Sequence, residues 1–138
     1  MNINGRASLI AVALLTGSLA SVGAQLGREA AIAKAETILK NLQDGRTADI
    51  VKEFSSRMSS EVPEARLKPA WAGVVAQFGA FKEVAERREG LMRGRQAVEL
   101  ILTFEKQTIV HRTVFDDDGR IDGLVFRPLD AAVLPANK

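Results

Sequence analysis

Hydrophobic positions along this chain change their period near the middle. From Ala30 to Leu42 apolar residues recur at helical spacing. Ile32, Ala35, Ile38, Leu39 and Leu42 share one side, and Lys34, Glu36 and Lys40 fall elsewhere. That spacing predicts a helix over 30–42, ended at Gly45, a residue suited to the left-handed conformation of many helix ends. Thr47 is then expected to cap a second helix carrying Ile50, Val51, Phe54 and Met58. Ser59, Ser60 and Pro63 interrupt that run. Pro69 is placed in the first turn of a third helix, where its missing N–H costs nothing. Trp71, Val74, Val75 and Phe78 form the stripe of this third helix, and Gly79 stops it. Three amphipathic helices each need an apolar surface to lie on.

The second half supplies one. Phe81 to Glu89 reads as a first strand, followed by a turn over Gly90–Gly94. Val98, Leu100, Leu102 and Phe104 then alternate with Glu99, Ile101, Thr103 and Glu105, the strongest period-two signal in the chain. Glu105–Gln107 turns the chain back into Ile109–Phe115, and Asp116–Gly119 is a hairpin turn. Arg120–Phe126 returns as the last strand, with Gly123 marking a bulge or bend and Pro128 ending the pairing. Helices followed by a four-stranded meander predict an α+β fold, with N-terminal helices packed on a curved four-stranded antiparallel sheet, cone-shaped in outline.

Ahead of this domain lies a different pattern. Arg6 and the amino terminus carry charge, and from Ala7 to Leu26 there is none. Leu9–Leu15 is a compact apolar run, Thr16–Ser18 breaks it, and Val22-Gly23-Ala24 supplies small residues for a signal peptidase. This three-part order predicts a cleaved export signal at 1–24, with cleavage after Ala20 the neighbouring alternative. A retained anchor is the competing reading, but a spanning helix needs about 20 predominantly apolar residues. The expected division is a signal at 1–24, a short linker at 25–29, one domain at 30–128 and a loose C-terminal tail at 129–138. The destination is then the periplasm or the medium, with no membrane association once the signal is removed.

Composition narrows the function classes. The chain has 138 residues, 46% hydrophobic and 26% charged, and a formal charge of only +2. Lys and Arg alternate with Glu and Asp, as in Glu86-Arg87-Arg88-Glu89, so the concentrated positive face of a nucleic-acid binder is not expected. Cysteine is absent, which excludes disulfides, zinc–thiolate sites, a cysteine nucleophile and a lipid-anchored N-terminal cysteine.

Several stretches carry a resemblance. Ala35–Leu42, Phe54–Met58, Trp71 followed by Phe78–Phe81, and Phe115–Phe126 resemble a bacterial exported family, a domain of unknown function. The resemblance spans about Ala30 to Pro128. It implies a cystatin-like, nuclear-transport-factor-two-like fold, in members that occur alone or ahead of α/β-hydrolase domains. It implies no catalytic residue, because the shared positions are turns and core. Protease inhibitors of cystatin-like fold use a Gln-x-Val-x-Gly hairpin, and Gln77-Phe78-Gly79 is too short to be one.

Candidate chemistry is sparse. His111 is the only histidine, on the same strand face as Thr113 and Phe115, and tyrosine is absent. A catalytic reading, as an isomerase, dehydratase or hydrolase, needs His111 in a pocket with Glu99, Glu105 or Asp122 facing it. The competing reading is a half-buried sheet histidine paired to a neighbour. Asp116-Asp117-Asp118 reads as a solvated turn, since calcium takes six to eight oxygens from a longer loop. No metal or cofactor is expected.

The favoured expectation is a non-catalytic module that binds a small apolar ligand or a protein partner. Trp71, Phe78, His111 and Phe115 are its candidate pocket lining. Apolar residues on both strand faces suggest a homodimer formed through the sheet, because a sheet covered on one side alternates more cleanly.

Overall fold

Helix α1 (Arg28–Gln43) places Ala35, Ile38, Leu39 and Leu42 of the predicted stripe in the core, with Ala31 buried beside them where the spacing predicts Ile32, which is half-buried. The chain is described by a computed structural model over residues 26–136, so the expected signal at 1–24 lies outside the described residues. The helix begins inside the segment expected to be a linker, with Gly27 at its cap. Among the described residues, no helix is long and apolar enough to cross a membrane.

The expected second helix is two. α2 (Thr47–Val51) is one short turn, and Thr47 is its first residue rather than its cap. The Thr47 hydroxyl instead donates to the Glu64 carboxylate at 2.9 Å. Ser55 caps α3 (Ser56–Glu61), its hydroxyl accepting the Met58 amide at 3.1 Å. Between the two, Phe54 pairs with Ile121 as an isolated parallel bridge, so the chain touches the sheet where the spacing predicts a continued helix.

α4 (Glu64–Phe78) has Pro63 at its N-cap and carries Pro69 inside it, a turn deeper than expected. Proline removes the bond to the carbonyl four residues back. Here that carbonyl belongs to Ala65, which is exposed like Pro69, so water can take it.

Four strands follow in the order β1 (Phe81–Met92), β2 (Arg95–Phe104), β3 (Thr108–Phe115) and β4 (Ile121–Pro128), each antiparallel to the next. The first turn is much tighter than Gly90–Gly94. Only Arg93 and Gly94 lie outside the strands, at φ 53° and 78°, the positive pair that a two-residue hairpin of favourable twist requires. Register shifts occur twice in β1 and once between β3 and β4, where Asp122 is the extra residue beside Gly123. Bulges bend a sheet, and these curve it around the helices.

Antiparallel pairing sends opposed residues to one face. Val98, Leu100 and Leu102 of β2 oppose Thr113, His111 and Ile109 of β3, and these oppose Leu124, Phe126 and Pro128 of β4. This is the inner face, and it meets α1, α2 and α4 in one core. Leu100, Leu102, Ile109 and Phe115 are fully buried there, each contributing about 1.5–3 kcal/mol relative to exposure.

The other face is not left open. A loose tail is expected at 129–138, yet its described part, 129–136, crosses the outer face as a strap. A turn of 3-10 helix at Leu129–Ala131 contacts β3, and Leu134 is buried against Gly90 of β1. A side chain on Gly90 would come within 3.3 Å of the Leu134 methyl, so the glycine admits the close approach. Of the outward apolar residues of β2 and β3, Ala97, Ile101 and Val110 are buried and Val114 is half-buried. The surplus apolar face that suggested a second subunit is therefore largely covered by the chain itself.

Candidate functional site

The inner face holds the features closest to a binding site. Trp71 of α4 lies 5.6 Å from Phe81, 5.7 Å from Phe104 and 6.3 Å from Phe126, ring centre to ring centre. Phe78 reaches Phe104 at 6.1 Å, and Phe126 lies 4.7 Å from the His111 ring. One aromatic cluster thus joins Trp71, Phe78 and His111 through Phe104 and Phe126. Phe115 is elsewhere on the same face, fully buried, with the Lys34 ammonium 5.7 Å from its ring centre.

A cleft of about 210 Å³ opens at this cluster, between the end of α4 and the end of the sheet. Phe78, Ile109, Phe126 and Pro128 give it apolar walls, and Gln77 and Arg127 give it a polar rim. Phe126 therefore touches the cleft on one side and His111 on the other. Trp71, His111 and Phe115 do not line this cleft; His111 lies behind Phe126.

His111 is wholly buried, and neither ring nitrogen has a hydrogen-bond partner among the described residues. The half-buried, paired histidine of the competing reading is therefore not what these residues form. The Thr113 hydroxyl, two residues along on the same face, is buried and unpartnered as well. Burial pushes the imidazole pKa down to about 4, so it is neutral at neutral pH. Neutral imidazole offers one donor and one acceptor, and the hydroxyl offers both functions.

Among the described residues, none of the three candidate carboxylates joins them. Glu99 is on the opposite face, bound to Arg112. Glu105 is exposed in the 105–107 turn and accepts the Ala80 amide. Asp122 accepts Ser55 at 2.7 Å and Arg95 at 3.0 Å, with Arg57 beside it. Burial pushes the Asp122 pKa up, but the Ser55 and Arg57 hydrogen bonds, with the Arg57 and Arg95 charges, outweigh it and hold the carboxyl below its usual range. A weakened base with no orienting acid is poorly suited to proton abstraction. The Asp116 carboxylate accepts the Asp118 and Arg120 amides and so serves its own turn.

Residues 35–124, from within α1 to within β4, match the model of DUF3887, a family described as protein of unknown function. The chain belongs to this family. No curated protein and no solved structure matches it. The DUF3887 match takes in His111, Thr113 and the aromatic cluster up to β3, but it ends before Phe126 and before the strap.

A larger cleft, about 530 Å³ between α1 and α2, is a weaker candidate within this DUF3887 chain. Its lysines are committed, Lys34 to Glu53 and the Gly119 carbonyl, and Lys52 to Asp49. Sequence reasoning missed Thr113, Ile109 and Phe126 as site residues. Period two places Thr113 beside His111, and a hydroxyl in an inward row was the available signal.

Proposed function

We propose that this chain is an exported, non-catalytic module that takes a small apolar molecule carrying one neutral polar group. The molecule enters beside Phe126 and lies between α4 and the inner face of β3 and β4. Export, to the periplasm or the medium, is inferred from the leader pattern at 1–24. The cystatin-like, nuclear-transport-factor-two-like shape is inferred from the resemblance and agrees with a bent sheet wrapped on helices.

The observation that carries the binding reading is the buried pair His111 and Thr113. A buried polar group without a partner costs about 1–3 kcal/mol, and an apolar side chain of similar shape would avoid that. Most buried polar atoms in proteins are satisfied, so two adjacent exceptions behind an aromatic gate favour a ligand that satisfies them. A hydroxyl or carbonyl meets both groups, and an apolar body fits among Phe78, Ile109 and Phe126. An ionised head group would meet no opposite charge at this depth.

Trp71 is the only tryptophan in the chain and touches Phe126, so it reports on the site directly. N-phenylnaphthylamine, an apolar probe with one N–H, is titrated onto the full chain while energy transfer from Trp71 is followed. The expected result is saturable one-site binding that Phe126→Ala weakens about tenfold. A signal that never saturates, or one indifferent to Phe126→Ala, rejects the reading.

A further inference from the structure

The outer face carries a separate constellation, built around a charge that is wholly buried. Glu99 has no exposed surface, and each oxygen of its carboxylate is engaged. Arg112 donates to Oε2 through Nε at 2.9 Å and Nη2 at 2.7 Å. The backbone amide of Leu134 donates to Oε1 at 2.7 Å, and that of Val133 is shared between the two oxygens at 3.1 and 3.2 Å. Arg112 also donates to the Ala131 carbonyl at 2.6 Å, and Arg88 to the Leu134 carbonyl at 3.2 Å. The strap is thus gripped by its main chain, carboxylate to amides and guanidinium to carbonyls. Only one of its side chains, Leu134, is buried.

Two properties follow from this grip. Recognition of main chain together with one leucine is met equally well by the same segment of another molecule. The strap is also the last described part of the chain, begins directly after β4 with a single turn of 3-10 helix, and takes part in no strand pairing. Docking in its own chain leaves two large apolar side chains of this segment in water, Leu129 at 43% and Val133 at 60% of full exposure.

We propose that the outer face is a docking groove for an extended segment, and that its second occupant is the strap of another copy of this chain, exchanged reciprocally. Exchange of an identical element is a low-cost route to a two-fold dimer. Each strap then runs from its own β4 to Glu99, Arg112 and Arg88 of the other copy. The two outer faces come together, and Leu129 and Val133 lie between them. The groove contacts are the same in both arrangements, so the balance is set by concentration and by the cover these two side chains gain.

The chain contains no cysteine, so introduced cysteines report single contacts. Full chains carrying Gly90→Cys are mixed with full chains carrying Leu134→Cys and oxidised. Exchange gives disulfide-linked heterodimers whose yield rises with concentration. Adding Val133→Ser, which leaves the groove contacts intact, lowers that yield about tenfold. Heterodimers no more abundant than with Lys40→Cys in place of Gly90→Cys overturn the proposal, as does indifference to Val133→Ser. So does a double variant, Gly90→Cys with Leu134→Cys, that closes within one chain while the mixture stays unlinked. Sedimentation of the unmodified chain guards against a folding defect of the variants: a dimer at high concentration is expected, and a strict monomer overturns exchange.

Discussion

On the outer face, Glu99 is fully buried and its carboxylate is engaged by Arg112 and two strap amides. On the inner face, His111, the residue before Arg112 on β3, is equally buried and has no partner among the described residues at either nitrogen. The contrast separates two uses of buried polarity. A charge cannot stay in a protein interior unless it is paired and hydrogen-bonded, so Glu99 has to bring its own partners with it. A neutral imidazole can remain unpaired at a cost of a few kcal/mol, and it then stays free to bond something that arrives later. One face is a finished structural joint. The other holds unspent hydrogen-bonding capacity.

The sharpest way to break this comparison is to remove the outer charge. Glu99→Leu leaves the Arg112 guanidinium and two strap amides without their acceptor. Breaking one half of a buried pair typically costs about 3–5 kcal/mol, and that loss is expected in urea denaturation at neutral pH. Combining it with Arg112→Met should recover much of the loss, because replacing both partners removes the stranded charge. A loss below about 1 kcal/mol in the single variant would mean that the joint contributes little, since surface changes commonly fall in that range.

The limits of what the sequence reveals follow the same division. The inner row Val98, Leu100, Leu102 and Phe104 is legible because it repeats at period two beside helices of clear amphipathic spacing. Glu99 sits in the alternate row and reads as solvent-facing or as a free carboxylate. Its burial depends on a strap more than 30 positions away that has no periodic pattern of its own. The break between α2 and α3 was marked by Ser55 three residues before Met58, a capping signal. It was masked because Ile50, Phe54 and Met58 keep helical spacing across the break. Pro63 and Pro69 are both compatible with a helix start. Helix α4 starts just after the earlier one, and Pro69 is tolerated inside it because the bond lost there frees a carbonyl at the surface. At the site, alternation placed His111 and Thr113 together, whereas Phe126 depended on the β3–β4 register, which a bulge at Asp122 offsets by one residue.

Acid tests the inner face next. The His111 pKa is near 4 in the folded protein and near 6.5 when exposed, so the unfolded chain takes up the proton first. The stabilisation that goes with a neutral imidazole is complete above pH 6.5 and is lost as the pH falls from there through about 4. At roughly 1.4 kcal/mol per pH unit, the full change is about 3 kcal/mol, of which about 2 is lost between pH 7 and pH 5. The depressed Asp122 carboxyl acts in the same direction, but only below its ordinary value of 3.8, so the two windows are separate. Urea midpoints at pH 7 and pH 5 should therefore differ in the native chain and converge in His111→Leu. A native midpoint that does not move over this range would place a partner on the imidazole.

The smallest effect discriminates most finely between a reserved site and an imperfect core. At neutral pH His111→Leu should raise stability by about 1–3 kcal/mol, and Thr113→Val by about 1 kcal/mol, because each removes an unpaired polar group without opening a large cavity. Stability and function trade against one another where a site keeps groups the fold does not need. His111→Leu should therefore also weaken N-phenylnaphthylamine binding several-fold, the imidazole being the acceptor for its N–H. A gain in stability with unchanged binding would make the histidine a packing defect and confine the ligand to the aromatic cleft outside it. A loss of stability would show that the pair is satisfied within the fold, and the inner face would then be as finished as the outer one.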